Sequence, residues 1–199
     1  HPVTEEVWGV DLAAEMIRIA LGEPLSFGEL EPRGHAIECR IYAEDPRRGF
    51  APSPGTITSL RLPSGPGVRN DVGVESGSVV PIDYDPMLGK LIVHGPDRPT
   101  ALARWKRALS EYEISGVETT LPLFRRLLEL PEFAAGDFDV QWLDRRLADG
   151  LFQDRSPDDE EILLAAAGAA SPTAPSRTEA SRAEGASPWR RESRRDLLR

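Results

Sequence analysis

Between residues 35 and 42 the side chains alternate, with His35, Ile37, Cys39 and Ile41 on one side and Ala36, Glu38, Arg40 and Tyr42 on the other. A period of two is that of a strand with unlike faces. One face is apolar; the other sets an acid two residues from an arginine, next to a tyrosine whose hydroxyl shares that side. Upstream, Trp8, Leu12, Met16 and Ala20 recur every four residues, which predicts one helix capped by Thr4, with Glu5 and Glu6 at its positive start and Gly22 as its stop. "EPLSFGELEPRG" reads as a turn-rich connector, and "EDPRRG" ends the alternating strand. Further strands are expected over 56–62 and 67–74, either side of a Pro-Ser-Gly-Pro-Gly connection, and "GSVVPIDYDPMLGKLIVHG" predicts another hairpin. Residues 33–95 therefore read as a mostly antiparallel sheet. Beyond Gly95 the period lengthens. Pro99 suits a first helical turn, Leu102, Trp105, Leu109 and Tyr112 form an apolar stripe, and "TTLPLFRRLLEL" and "DVQWLDRRL" predict two more helices, the former closing before Pro131. Strands followed by helices make an α+β unit.

From Ser156 the composition shifts to Ala, Ser, Pro and Gly with scattered charge, too little apolar surface to fold alone, so a flexible linker is expected over 151–186. The tail "SPWRRESRRDLLR", residues 187–199, carries five arginines against Glu192 and Asp196, a local charge of +3. A basic arm of this kind can meet phosphates or a membrane surface. Pro188 and Trp189 are unusual in such an arm and favour the start of a truncated following domain. No solenoid-length repeat occurs. The chain opens on His1 directly in a helical pattern, which reads as a piece of something longer.

The net charge of −9 over 199 residues argues against nucleic-acid binding, which needs an excess of Lys and Arg. One cysteine, Cys39, on the apolar face, excludes an intrachain disulfide and a cysteine-based metal site, and reads as a small buried hydrophobe in a reducing compartment. No apolar run approaches the roughly 18–20 residues that span a bilayer, and no export signal opens the chain. A cytoplasmic protein with no membrane and no nucleic-acid partner is the expectation.

No phosphate-binding glycine loop, dinucleotide fingerprint, HExxH, GxSxG or CxxC is present. His1, His35 and His94 are far apart and read as structural or terminal rather than as ligands. The one suggestive constellation is the polar face of the 35–42 strand, with "YDPMLGK" as a second contributor. Arg40 fits either a surface ion pair with Glu38 or an anion clamp, a planar permanent cation able to hold a carboxylate-like group. Periodicity does not choose between them. Tyr84 and Asp85 read most simply as a turn before Pro86, and Lys90 as an exposed lysine.

Taken together, "HPVTEEVWGVDLAAEMIRIALGEPL", "RGHAIECRIYAEDP", "FAPSPGTI", "GVRNDVGV", "YDPMLGKLIV" and "ISGVETTLPLFRRLL" resemble, in the same order and at similar spacing, the C-terminal part of the biotin carboxylase component, of the α-subunit type, of biotin-dependent acyl-CoA carboxylases. The resemblance covers roughly residues 1–150. It implies that 1–32 end an ATP-grasp region and that 33–150 form the biotin carboxylase C-terminal domain. It also implies a ligase reaction in which ATP, with Mg2+ or Mn2+, and bicarbonate give carboxyphosphate. CO2 then passes to N1 of biotin on a carrier domain. The family's arginine in the "ECR" block contacts bicarbonate and the biotin ureido oxygen; Arg40 matches it. Tyr84 and Asp85 match a block near the biotin side, and Arg69 a block near the homodimer contact.

The family's glycine-rich lid, nucleotide lysines, metal-binding glutamates and "NxRxQVE" strand precede the block that begins at His1, so no metal ligand is expected in this chain. No Ala-Met-Lys-Met carrier motif occurs. The expected partners are a second copy, a biotin carboxyl carrier domain and a carboxyltransferase subunit. The expected function is that of a biotin carboxylase fragment, inactive alone, of an acetyl-, propionyl- or methylcrotonyl-CoA carboxylase in fatty acid metabolism. The alternative is a non-catalytic dimerisation and assembly module. Pyruvate and urea carboxylases share related blocks.

Overall fold

The computed structural model describes residues 1–152; the expected linker and basic tail lie, almost entirely, outside the described residues. The chain opens with α1 (Pro2–Trp8), which ends at Gly9 in the left-handed conformation, φ 68°. Glycine reaches that region without a Cβ penalty and closes helices there. Asp11 then starts α2 (Leu12–Ala20), its carboxylate accepting the Ala14 N–H at 2.9 Å. The single helix expected from the fourfold spacing is therefore two, and Thr4 lies inside α1 rather than capping it. The spacing misleads because a glycine cap and a new N-cap redirect the chain between Trp8 and Leu12. Met16 is 70% exposed, whereas Glu15 is buried and accepts both the backbone N–H and the hydroxyl of Ser26.

The strands follow as β1 (His35–Tyr42), β2 (Glu44–Asp45), β3 (Ala51–Pro52), β4 (Gly55–Thr56), β5 (Ser59–Arg61), β6 (Val68–Val72), β7 (Val79–Val80) and β8 (Met87–Gly95). They are followed by α3 (Arg98–Glu111), β9 (Glu113–Ser115), α4 (Leu121–Leu127), α5 (Pro131–Ala135) and α6 (Trp142–Ala148). Every ladder is antiparallel. The main sheet has the order β1-β8-β6, and the two-stranded pairs are β2-β3, β4-β7 and β5-β9. The expected hairpin over 77–95 does not form: β7 pairs with β4, and β8 crosses to lie between β1 and β6. Two prolines, Pro81 and Pro86, lack the N–H that a local ladder would need. The long pairing, in turn, sets Leu91 beside Cys39 and Val93 beside Ile37. Gly34, at φ 68°, leads into β1 where a Cβ would collide with the Gly95 carbonyl. A side chain there would push the first residue of β1 off the last of β8.

Each strand of the main sheet presents one face to α3. Cys39, Ile41, Leu91 and Val93 pack there with Trp105, Ala108, Leu109, Tyr112 and Leu121, all buried. Asp97 caps α3 through the Thr100 N–H at 2.8 Å, and the 102/105/109/112 stripe is what turns inward. Trp105 Nε1 donates to Cys39 Sγ at 3.4 Å, and burial pushes the Cys39 thiol up to about 12, so it is held as the inert thiol expected of a core cysteine. A second cluster of Leu123, Leu127 and Trp142 joins α4 to α6. The opposite face of the sheet carries Glu38, Arg40, Arg69, Asp71, Lys90 and the fully buried Ile92, and α1 packs against β1 and β8.

Candidate functional site

Arg40 sits near the C-terminal end of β1, an edge strand of the main sheet. In register its neighbour is Lys90 of β8, and Lys90 in turn lies beside Asp71 of β6. The edge of β1 is closed by Thr120. Its hydroxyl accepts the Tyr42 N–H at 3.1 Å and donates to the Arg40 carbonyl at 3.2 Å, while its own N–H donates to the Tyr42 carbonyl at 3.1 Å. One buried threonine thereby takes up the backbone groups that a free edge would leave open, and it fixes the peptide that carries Arg40.

The side chain of Arg40 is held at its base. Its Nε lies 3.7 Å from Glu38 Oε1, and Lys90 Nζ lies 3.9 Å from the same oxygen. The other oxygen, Glu38 Oε2, accepts the Val3 N–H at 3.2 Å from the first turn of α1. Glu38 is therefore a mostly covered carboxylate, 12% exposed, with a backbone donor and two cations around it, whereas the Arg40 side chain is 56% exposed. The Tyr42 hydroxyl first, and Glu38 after it, raise the Arg40 pKa, so the guanidinium stays charged at any working pH. The arrangement is a permanent cation with a carboxylate oxygen 3.7 Å from its Nε and most of its side chain open to solvent. Such a group can hold a planar oxyanion or stabilise charge developing on a carbonyl oxygen.

The two alternatives for Arg40 thus coexist: it forms the ion pair with Glu38 and keeps an open side. Tyr84 is 79% exposed, and Asp85 Oδ1 accepts the Met87 N–H at 2.9 Å, the turn that Asp before Pro favours. Asp85 lies close enough to Glu44 to raise its pKa, after the larger effect of burial. Tyr42 pairs with Met87, which brings the 81–86 loop to the Arg40 end of β1. Arg69 stands on the same face two strands away. It forms a two-pronged pair with Asp71, both contacts at 2.9 Å, and reaches Glu5 at 2.9 Å and Glu6 at 3.4 Å. Arg69 therefore ties α1 to β6. A wide-open hollow of about 560 Å³ lies beside it against Glu5, Glu6 and Asp11, away from Arg40.

Among the described residues no group of three or more His, Cys, Asp or Glu side chains is placed to share a metal ion. His35 accepts from Arg98 Nη1 at 2.9 Å, and His94 Nε2 lies 2.9 Å from the Arg33 carbonyl. Sequence reasoning missed Thr120 and the Val3 contact, since both depend on segments brought together from distant parts of the chain. Alternation along 35–42 offers Glu38 as an ion-pair partner of Arg40; that it is mostly covered comes from the fold.

Residues 38–145 match the family model of the biotin carboxylase C-terminal domain. The chain belongs to that family. Within it, the chain is 47% identical over 167 residues to a pyruvate carboxylase subunit from Methanothermobacter thermautotrophicus, covering 82% of this chain and 34% of that protein. It is 45% identical over 168 residues to the biotin-dependent acyl-coenzyme A carboxylase alpha3 subunit of Mycobacterium leprae, covering 81% and 28%. Among solved structures it superposes with TM-score 0.73 and 41% identity on the biotin carboxylase domain dimer of Hydrogenobacter thermophilus 2-oxoglutarate carboxylase, in complex with MgADP, ADP and bicarbonate, covering 78% of this chain and 34% of that one. The biotin carboxylase relatives thus carry carboxylases of different substrates in their names, and the chain spans about a third of their length. The α+β reading and the antiparallel, helix-flanked sheet hold. Among the described residues no helix is long and apolar enough to cross a membrane.

Proposed function

We propose that this chain forms the C-terminal part of a biotin carboxylase and supplies Arg40 to the site where bicarbonate and biotin react. The observation that carries the reading is the guanidinium paired with Glu38 across 3.7 Å at Nε, its side chain more than half open, on the backbone that Thr120 fixes. A fixed cation of this kind favours the deprotonated ureido group of biotin and the oxyanions of bicarbonate over their neutral or displaced forms. On this reading Tyr84 and Asp85, in the loop at the same end of β1, belong to the biotin side of the site, as their resemblance to the family block implies. ATP with Mg2+ or Mn2+ supplies the activation of bicarbonate, and on this reading the metal's ligands belong to the part of the family that the resemblance places before the block at His1. Residues 1–32 then close an ATP-grasp region and 33–150 form the C-terminal domain.

The name of the Mycobacterium leprae relative favours an acyl-CoA carboxylase of the acetyl, propionyl or methylcrotonyl type, whose partners are a biotin carboxyl carrier domain and a carboxyltransferase subunit. A cytoplasmic setting follows from that reading. The test is a chimera in which this chain replaces the segment it matches in the Methanothermobacter protein, with ATP turnover driven by bicarbonate and biotin as the readout. Arg40→Ala is expected to lower kcat about 10²- to 10³-fold, the typical cost of removing one oxyanion donor, with KM for ATP unmoved. An unchanged kcat removes Arg40 from the site.

The second reading, a dimerisation module, draws on the dimer named for the Hydrogenobacter domain. Arg69 would serve it indirectly, by holding α1 against β6 at the contact face. Sedimentation of the chain checks this: a monomer at high concentration counts against assembly as its role.

A further inference from the structure

Glu38 enters the reading above only as the ion-pair partner of Arg40, yet it is the most covered of the charged side chains on the polar face of the sheet. It is the mostly covered member of the group, at 12% exposure against 20% for Lys90 and 56% for Arg40. Its two oxygens do different things. Oε2 takes the Val3 N–H of α1, and Oε1 faces Arg40 Nε and Lys90 Nζ. An arginine whose side chain is more than half exposed has many rotamers, and holding it in one costs side-chain entropy. A carboxylate beside Nε narrows that choice without occupying the outer edge of the fork.

We propose that Glu38 is a positioning residue for Arg40, and that its bond to Val3 makes the pose of Arg40 depend on the seating of α1. The proposal rests on the reading of Arg40 as the anion clamp. Lys90 serves the same end from the other side: in register with Arg40 and Asp71, it sets a second cation 3.9 Å from the same Glu38 oxygen and so favours that carboxylate lying along the strand face. The geometry joins three elements, α1, β1 and β8, through one side chain. Movement of α1 away from the sheet withdraws the Val3 donor, frees the carboxylate to turn, and releases Nε. The Arg40–Glu38 pair is long and its arginine is more than half exposed, so it contributes little to stability, and its effect falls on orientation and therefore on rate.

The experiment uses the chimera carrying the complete chain, with four forms: unchanged, Glu38→Gln, Arg40→Ala and both together. Glu38→Gln keeps an oxygen for the Val3 N–H and removes the charge that holds Nε. The expected result is a roughly tenfold lower kcat for biotin carboxylation and a raised KM for bicarbonate. KM for ATP and the urea midpoint of unfolding stay within error, and Glu38→Asp restores part of the rate. In the Arg40→Ala background, Glu38→Gln has no further effect, the non-additivity of two residues acting as one. If Arg40→Ala is inactive but Glu38→Gln is fully active, the positioning role is wrong and the clamp stands. If Glu38→Gln costs the same with and without Arg40, or lowers the unfolding midpoint, Glu38 is structural and the proposal fails. If Arg40→Ala itself keeps full activity, the clamp reading falls and the proposal falls with it.

Discussion

The two faces of the main sheet are made by the same three strands, residue by alternate residue, and they are built by opposite rules. Toward α3, Cys39, Ile41, Leu91 and Val93 are at most 2% exposed and meet Trp105 and Tyr112 in a dry core. Toward α1, Glu38, Arg40, Lys90, Arg69 and Asp71 are charged, and ion pairs and caps arrange them. Burial is non-directional and scales with area, so the first face sets how firmly the sheet is held. Charges near a surface contribute little net energy but have fixed partners, so the second face sets where groups point. Stability and chemistry are thereby placed on opposite sides of one strand, and substitutions on the two sides are expected to separate them.

The sharpest break is Trp105→Ala. Trp105 is 1% exposed, donates to Cys39 and lies 5.3 Å from the Phe133 ring and 6.0 Å from the Phe124 ring. Truncating a buried tryptophan typically costs about 3–5 kcal/mol, and the loss is expected in the urea midpoint without any change in the contacts of Arg40. By contrast Arg40→Ala, despite its large expected loss of kcat, should leave that midpoint unmoved. If Arg40→Ala unfolds the chain as Trp105→Ala does, the division between the faces is wrong.

Thr120→Val sits between these two cases. The shape is nearly kept, but the Tyr42 N–H and the Arg40 carbonyl lose their partner. Leaving a buried polar group unpaired costs about 1–3 kcal/mol. This substitution alone is expected to move both readouts, lowering the unfolding midpoint and kcat together, because Thr120 fixes the peptide of the clamp.

How much of this was legible in the sequence follows from range. Alternation over 35–42 gave both faces of β1 correctly, since the period is local and Cys39 and Arg40 differ in kind. The stripe ending at Tyr112 gave α3 for the same reason. The helix over 4–22 failed where a local pattern met a stronger local signal, Gly9 followed by Asp11. The 77–95 hairpin failed because β8 is paired with β1, a strand from far upstream that no local window sees. The site was legible only as a polar face; Thr120 reaches it from 78 residues away, and Val3 from 35. The resemblance to the family supplied the role proposed for Arg40, and three-dimensional structure supplied the grip.

Arg69→Met tests a weaker element of the polar face. The guanidinium joins Glu5 and Glu6 of α1 to Asp71 of β6, and its pKa is raised by Asp71 first and by the α1 acids after it, against the opposing effect of burial. With the side chain 37% exposed, the expected cost in stability is about 1 kcal/mol or less. The local effect is larger: three acids lose their common cation, so amide exchange in α1 should speed up while that of β8 does not. Equal protection in α1 before and after the change would show that the Val3 to Glu38 bond seats the helix without Arg69.

The smallest effect expected is on the pH dependence of stability, and it separates the rim of the core from the polar face. His35 begins β1 on the α3 side and accepts from Arg98 Nη1, while Arg98 also donates to the carbonyls of Phe133 and Ala134. Burial first, then the charges of Arg98 and His94, hold the His35 pKa below its ordinary value. On acidification the unfolded chain therefore takes up a proton first, near pH 6.5, while the folded chain still refuses it. Between those two values the unfolded state binds more protons, so stability rises with pH. The contribution of His35 is intact above the ordinary histidine pKa and is lost as pH falls through the lowered one. Protonated, His35 no longer accepts from Arg98 and stands beside its charge. A chain with His35→Gln should show a flatter pH profile of the urea midpoint over this window, whereas Arg40→Ala should leave the profile as it is. Should the slope survive His35→Gln, the titrating group lies elsewhere and the Arg98 contact is not what acid breaks.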